Sequence, residues 1–175
     1  MDNYFIGIDN ASQGAIAIIN QNMDIINVLK YPRNNLILMH EFLSPYKKRV
    51  GIKNNCFAIL EKPFLARNRI NSTIVTYEIF GTHRMNLESL KIHYELAEPR
   101  LNIETCWRKE FNFKSKKTED LKKESIEIVN LIFDNRADKW IRTPKKRRKI
   151  IEYCKPDDNI AESLLLAEYA RRIYK

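Results

Sequence analysis

Three observations predict a layered α/β or α+β domain for this chain. Strand-like apolar runs crowd the first half, strand and helix signals alternate after it, and no long linker or repeat divides the 175 residues. One domain of that length buries a proper core, and 44% hydrophobic with 30% charged residues is an ordinary balance for a soluble globular chain. Apolar runs such as Leu36 to Met39 and Leu164 to Ala167 are far too short to span a membrane. The N-terminus lacks the basic-then-apolar pattern of a secretory signal, so the expected location is intracellular.

Taken in order, Tyr4, Phe5, Ile6 and Ile8 form a short β-rich run, and Ala15 to Ile19 form another. Asn10, Ser12, Gln13 and Gly14 between them supply turn chemistry, so the two runs read as a hairpin. Asp9 sits at its mouth. The run before it is apolar on both faces, as in a strand covered on both sides, and an ionised carboxylate there needs a cation or a metal unless it merely caps the turn. Met23 to Tyr31 reads as a third strand ended by Pro32, giving a three-stranded antiparallel meander, and Leu36 to Leu43 as a short helix. Cys56 to Leu60 is a buried-strand run followed at once by Glu61, Lys62 and Pro63. The proline stops the strand and leaves Glu61 at its last position.

Beyond a basic connection through Arg67 and Arg69, Ser72 is placed to cap a helix running to about His93. Its expected apolar stripe is Val75, Ile79, Met85 and Leu90, and Gly81 is read as a point of close helix approach. Tyr94 to Ala97 and Ile103 to Trp107 are short strand candidates. A helix starts near Thr118, with Glu119 and Asp120 favouring its N-terminus and Leu121, Ile128, Val129 and Ile132 on one side. In the last helix, Asp157 to Lys175, the pair Asp158 and Glu162 are four apart and share a face that Leu165 and Tyr169 continue. Like charges at that spacing repel, and burying them is costly unless a cation intervenes. The alternative is that Asp158 caps the helix while Glu162 faces solvent, and Asp157 leaves the register open by one residue.

The formal charge of +9 points to a polyanionic partner. Between Arg136 and Lys155 nine cations stand against two acids, including the run Lys145, Lys146, Arg147 and Arg148, although a solvated lysine-rich face has the same signature. Trp107 and Trp140 lie beside basic residues, where they either stack on bases or fill the core. Cys56, Cys106 and Cys154 are odd in number and lack zinc-site spacing, so buried free thiols are expected. Asp9, Glu61, Asp158 and Glu162 form an oxygen-only set suited to Mg²⁺ or Mn²⁺, and two such ions about 4 Å apart support phosphodiester hydrolysis.

The segments GID, GAIAII, AILEKPF, ELAEP, TCWRKEF and DDNIAESLLLAEYARR follow one another in an order that resembles the RuvC-like Holliday junction resolvases of the RNase H-like superfamily, in their phage and viral branch. The resemblance spans nearly the whole chain. It implies a central mixed five-stranded sheet, its three antiparallel strands first, with flanking helices, as one RNase H-like domain over residues 1–175. It also implies a homodimer that nicks four-way or otherwise branched DNA with a pair of Mg²⁺ ions, leaving 5′-phosphate and 3′-hydroxyl ends. The first-strand acid falls on Asp9, the fourth-strand acid on Glu61 and the C-terminal helix pair on Asp158 and Glu162. In the arrangement expected, Asp9 bridges the two ions, with Glu61 on one side and the helix pair on the other. A catalytic lysine of some relatives corresponds to Lys109, with Arg108 competing for the position.

The chain departs from the family where Asn10-Ala11 follows Asp9, and in pairing Asp158 with Glu162 rather than two aspartates three apart. The second departure leaves open which of Asp157, Asp158 and Glu162 ligate metal. Lys145, Lys146, Arg147, Arg148, Arg67 and Arg69 are expected to hold DNA phosphates without reading sequence. The helix from Ser72 to His93, with Tyr77, Phe80, Gly81 and Arg84 beyond its stripe, offers material for a dimer contact. The competing readings are an RNase H-type or integrase-type nuclease with another substrate and a non-catalytic branched-DNA-binding protein. An actin-like ATPase or sugar kinase needs glycine-rich phosphate loops that a chain with four glycines does not supply.

Overall fold

The structure, a computed structural model, describes residues 3–31, 36–47, 55–63, 70–142, 144–147, 150–153 and 155–174. Three strands lead: β1 (Tyr4–Ile8), β2 (Ala15–Asn20) and β3 (Ile25–Lys30). After α1 (Leu36–Leu43) come β4 (Cys56–Glu61), the long α2 (Ile70–Ser89) and β5 (His93–Ala97). The chain then runs through a 3-10 turn at Trp107–Phe111, α3 (Thr118–Ile132), the single-turn α4 (Asp138–Ile141), the strands β6 (Pro144–Arg147) and β7 (Ile150–Tyr153), and α5 (Asp158–Ile173). The five-stranded sheet is mixed, in the order β3-β2-β1-β4-β5. β1 lies antiparallel to β2, with Ile8 opposite Ile16, and parallel to β4, with Ile8 beside Leu60. β4 and β5 are also parallel, and β6 and β7 form a separate antiparallel ribbon.

Side chains alternate between the two faces of a strand, so each central strand feeds two cores. Ile6, Ile8, Ile16, Ile18, Ala58 and Leu60 pack under α1 and α2 with Met39, Leu43, Ile79 and Leu87. Phe5, Ala17, Ile19 and Ile59 face the opposite way, against α3 and α5 with Val129, Leu164 and Ala167. This is why the central strands are apolar throughout. Gly7 belongs to the second face. A Cβ on Gly7 would run into the Ser163 carbonyl oxygen and the Ala167 amide, so glycine there lets α5 lie directly on β1.

Several expectations are corrected by the structure. The third strand is Ile25–Lys30, shorter than Met23 to Tyr31 because Met23 takes a left-handed conformation (φ 62°) in the turn closed by Asn20. α2 begins at Ile70 and ends at Ser89, not His93. Lys91 stands at φ 55°, and the Ile92 amide bonds back to the Leu87 carbonyl, a left-handed stop usually signalled by glycine. Its buried stripe runs through Ile79, His83 and Leu87, whereas Met85 is 71% exposed. Gly81 meets no atom within 4 Å of a Cβ position, so no helix packs on it among the described residues.

Ile103 to Trp107 is not a strand. It contributes one bridge, Cys106 to Glu98, before turning into the 3-10 segment, which sends Trp107 into the core. Cys56 and Cys106 are buried free thiols, while Cys154 lies outside the described residues. Among the described residues no helix is long and apolar enough to cross a membrane.

Candidate metal centre

The alternation that builds the two cores also aims the acids. Asp9 follows Phe5 and Gly7 in parity, and Glu61 follows Phe57 and Ile59, so both carboxylates project from the carboxyl ends of adjacent parallel strands toward α5. The close seat of α5 on Gly7 brings Glu162, next to Ser163, down to the same level. One carboxylate oxygen from each of Asp9, Glu61 and Glu162 lies within 4.8 Å of the others.

Each acid is held by a different element. Asp9 Oδ1 accepts the Ala11 amide at 3.2 Å, and Oδ2 is buried with no hydrogen-bond partner. The Asp9 backbone carbonyl accepts the Tyr31 hydroxyl at 2.5 Å, and His83 Nε2 lies 2.9 Å from that hydroxyl. Tyr31 gives its only proton to Asp9, so His83 Nε2 is the donor in that contact, and burial pushes its pKa down to about 3, holding the ring neutral. Glu61 accepts the Trp107 indole N–H at 2.9 Å. Glu162 accepts from Arg108 Nη2 at 2.8 Å and from the Ser125 hydroxyl at 3.2 Å.

Arg108 is the cation of this cluster. Its Nη1 lies 3.4 Å from Glu61 and donates to the Pro99 carbonyl at 2.6 Å, and its guanidinium sits 4.6 Å over the Trp107 ring. Only 8% of Arg108 is exposed, whereas Lys109, favoured from the sequence, is exposed. Successive residues of a tight turn point in different directions, and this one aims Arg108 inward.

Asp158 stands apart from the three. It pairs with Lys122 of α3 at 2.7 Å. Asp157 caps α5 through the Asn159 and Ile160 amides and pairs with Lys30. The expected quartet is therefore a triad, with Asp158 one helical turn away on the same face. Of the expected phosphate-binding residues, Lys145, Lys146 and Arg147 lie on β6 in the ribbon. Arg67, Arg69 and Arg148 lie outside the described residues. Trp107 is fully buried and Trp140 partly so, with Lys139 5.6 Å over its ring.

The electrostatics favour a cation. Burial, followed by the nearby charges of Glu61 and Glu162, raises the Asp9 pKa well above the usual carboxylate range. Burial likewise raises Glu61 to about 7, against the pull of Arg108. Asp9 and Glu61, both buried, and the partly buried Glu162, with one guanidinium and an orphaned Asp9 oxygen, make an oxygen-only set of the kind that suits a hard divalent cation.

Sequence reasoning did not find Tyr31, His83 or Ser125. A signal existed for His83, which falls on the i, i+4, i+8 stripe with Ile79 and Leu87, where a lone histidine among apolar positions marks a buried contact. Tyr31 and Ser125 carried none, since each meets the site only through the packing of separate elements. A scan against protein-family models finds no match for the chain, and a search of the curated proteins finds none either.

Proposed function

We propose that the protein is a divalent-metal-dependent endonuclease of RNase H-like, RuvC-like type that cuts branched DNA such as four-way junctions. The observation that carries the reading is the triad of buried Asp9 and Glu61, at the carboxyl ends of parallel strands, with Glu162 of α5, together with an unpartnered Asp9 oxygen. The strand order, with three antiparallel strands first, and the charge of +9 support it. Asp9, Glu61 and Glu162 would hold Mg²⁺, or Mn²⁺ in its place. When bound, such an ion acidifies an attacking water and offsets charge on the departing oxygen.

The chain's own groups orient these ligands. Trp107 fixes Glu61, Arg108 and Ser125 fix Glu162, and Tyr31 fixes the backbone of Asp9. Asp9 and Glu61 hold protons more tightly than exposed carboxyls do, so metal binding releases protons and strengthens as pH rises through about 7. The ribbon residues Lys145, Lys146 and Arg147, together with Arg148, Arg67 and Arg69, would contact phosphates. A homodimer is part of the proposal. Exposed Ile74 and Tyr77 with open Gly81 on α2 offer an apolar surface, and an isologous dimer matches the two-fold symmetry of a four-way junction.

Incubating the purified protein with four-way junction, linear duplex and RNA/DNA hybrid, in Mg²⁺ or EDTA, tests this. Junction cleavage that needs Mg²⁺ and disappears in Asp9→Asn, with junction binding kept within a few-fold, is the expected outcome. Cleavage by Asp9→Asn at the parental rate would refute the site. Cleavage of the hybrid alone would replace junction resolution with an RNase H-type activity.

A further inference from the structure

We infer that Arg108 stands in for a second cation, so that the three carboxylates hold one divalent ion per chain rather than two. The inference rests on the metal-site reading above. Its first support is charge. Asp9, Glu61 and Glu162 against one guanidinium leave a formal charge of minus two, which a single divalent ion cancels. A second ion would leave the pocket positive and would lie against a buried guanidinium.

The second support is that Arg108 is built in. Its head group is held from the backbone by Pro99 at 2.6 Å, from the acids by Glu162 at 2.8 Å and Glu61 at 3.4 Å, and from the side by the Trp107 face. Leaving the site would strip Glu162 of its nearest cation and the Pro99 carbonyl of its donor. A planar guanidinium bridging two carboxylates is also a geometry that lysine does not reproduce.

The third support is the position of the other acids. Arg108 takes up one oxygen each of Glu61 and Glu162 that a second ion would need, and the nearest other acids are engaged elsewhere. Asp158 pairs with Lys122, and Asp157 caps α5 while pairing with Lys30. Among the described residues no further carboxylate joins the cluster. The positive charge that a second ion would bring is thus supplied by a side chain already in place, and only one ion has to be taken from solution.

The test is the number of Mn²⁺ ions bound by the full chain without DNA, counted by electron paramagnetic resonance of free Mn²⁺ during titration. One ion per chain in the parent and two in Arg108→Ala is the expected result. The Mg²⁺ dependence of junction cleavage should change with it, from a Hill coefficient near one toward two in whatever activity the variant retains. Two ions in the parent would overturn the inference, and so would one ion in both proteins, because Arg108 would then not be what limits the number. No Mn²⁺ bound by the parent would instead overturn the metal site itself. Should Arg108→Ala fail to fold by circular dichroism, Arg108→Gln, which retains a donor for Pro99, takes its place in the count.

Discussion

Replacing Glu61 by glutamine should make the metal-free protein more stable at neutral and higher pH, although it removes a site carboxylate. Burial raises the Glu61 pKa from an ordinary 4.5 to about 7. A raised acid pKa means that the folded state holds its proton more tightly than the unfolded chain does. Stability therefore falls as pH rises through the window from 4.5 to 7 and stays reduced above it. At about 1.4 kcal/mol per pKa unit, ionising Glu61 within the fold costs about 3 kcal/mol. Glutamine avoids that cost and still accepts the Trp107 indole N–H, while its amide protons, facing Arg108, give back about 1 kcal/mol.

The expected gain of Glu61→Gln is thus about 2 kcal/mol at about pH 8 in EDTA, shrinking to nothing or reversing below the window. Asp9 acts in the same direction, because removing the Glu61 charge relieves part of the repulsion that raises its pKa. His83 contributes a slope of opposite sign, with stability lost as pH falls below 6.5 because its folded pKa is depressed to about 3. That slope is common to parent and variant and cancels in their difference. Urea unfolding of both proteins across this range, in EDTA and in saturating Mg²⁺, is the assay. Mg²⁺ should stabilise the parent by about 2.7 kcal/mol at a hundredfold excess over Kd and the variant by less, so the order of stability should converge or invert when metal is added. A difference between the two proteins that does not vary with pH in EDTA would refute the electrostatic account of the triad.

Gly7→Ala should cost about 3 kcal/mol or more, seen as a lowered urea midpoint, because the new methyl meets α5 backbone and not a flexible side chain. Tyr31→Phe should lose about 1–2 kcal/mol and lower kcat while leaving junction affinity unchanged, since it frees the Asp9 carbonyl and leaves His83 Nε2 without its acceptor. An unchanged kcat would make the contact purely structural. Neutralising Lys145, Lys146, Arg147 and Arg148 together should weaken DNA binding and flatten its salt dependence with the fold intact. A salt slope equal to the parent's would make the ribbon a solvated face.

Much of the layout was legible because it follows from short-range rules. Alternation and turn chemistry gave away β1 and β2 as a hairpin, Pro63 marked the end of β4, and the spacing of Asp158 and Glu162 put both on one face of α5. Those rules place a residue on a strand end or a helix face. They also mislead where a structure stops or turns without its usual marker, as at Lys91, which ends α2 without glycine, and at Cys106, where a strand-like run becomes a 3-10 turn.

By itself the sequence determined that Asp9 and Glu61 close two apolar strands, that acids line one stripe of the last helix, and that the chain is strongly basic. Only the tertiary structure decided which of those acids meet. The packing of α5 on Gly7 sets Glu162 beside Asp9 and Glu61, and one turn of helix, about 5.4 Å, carries Asp158 away to Lys122. It decided likewise that Arg108 and not Lys109 enters the cluster, because the direction of a side chain in a tight turn depends on what the turn packs against. Contacts between elements far apart in sequence are set by how closely backbones approach, and no local spacing encodes that distance.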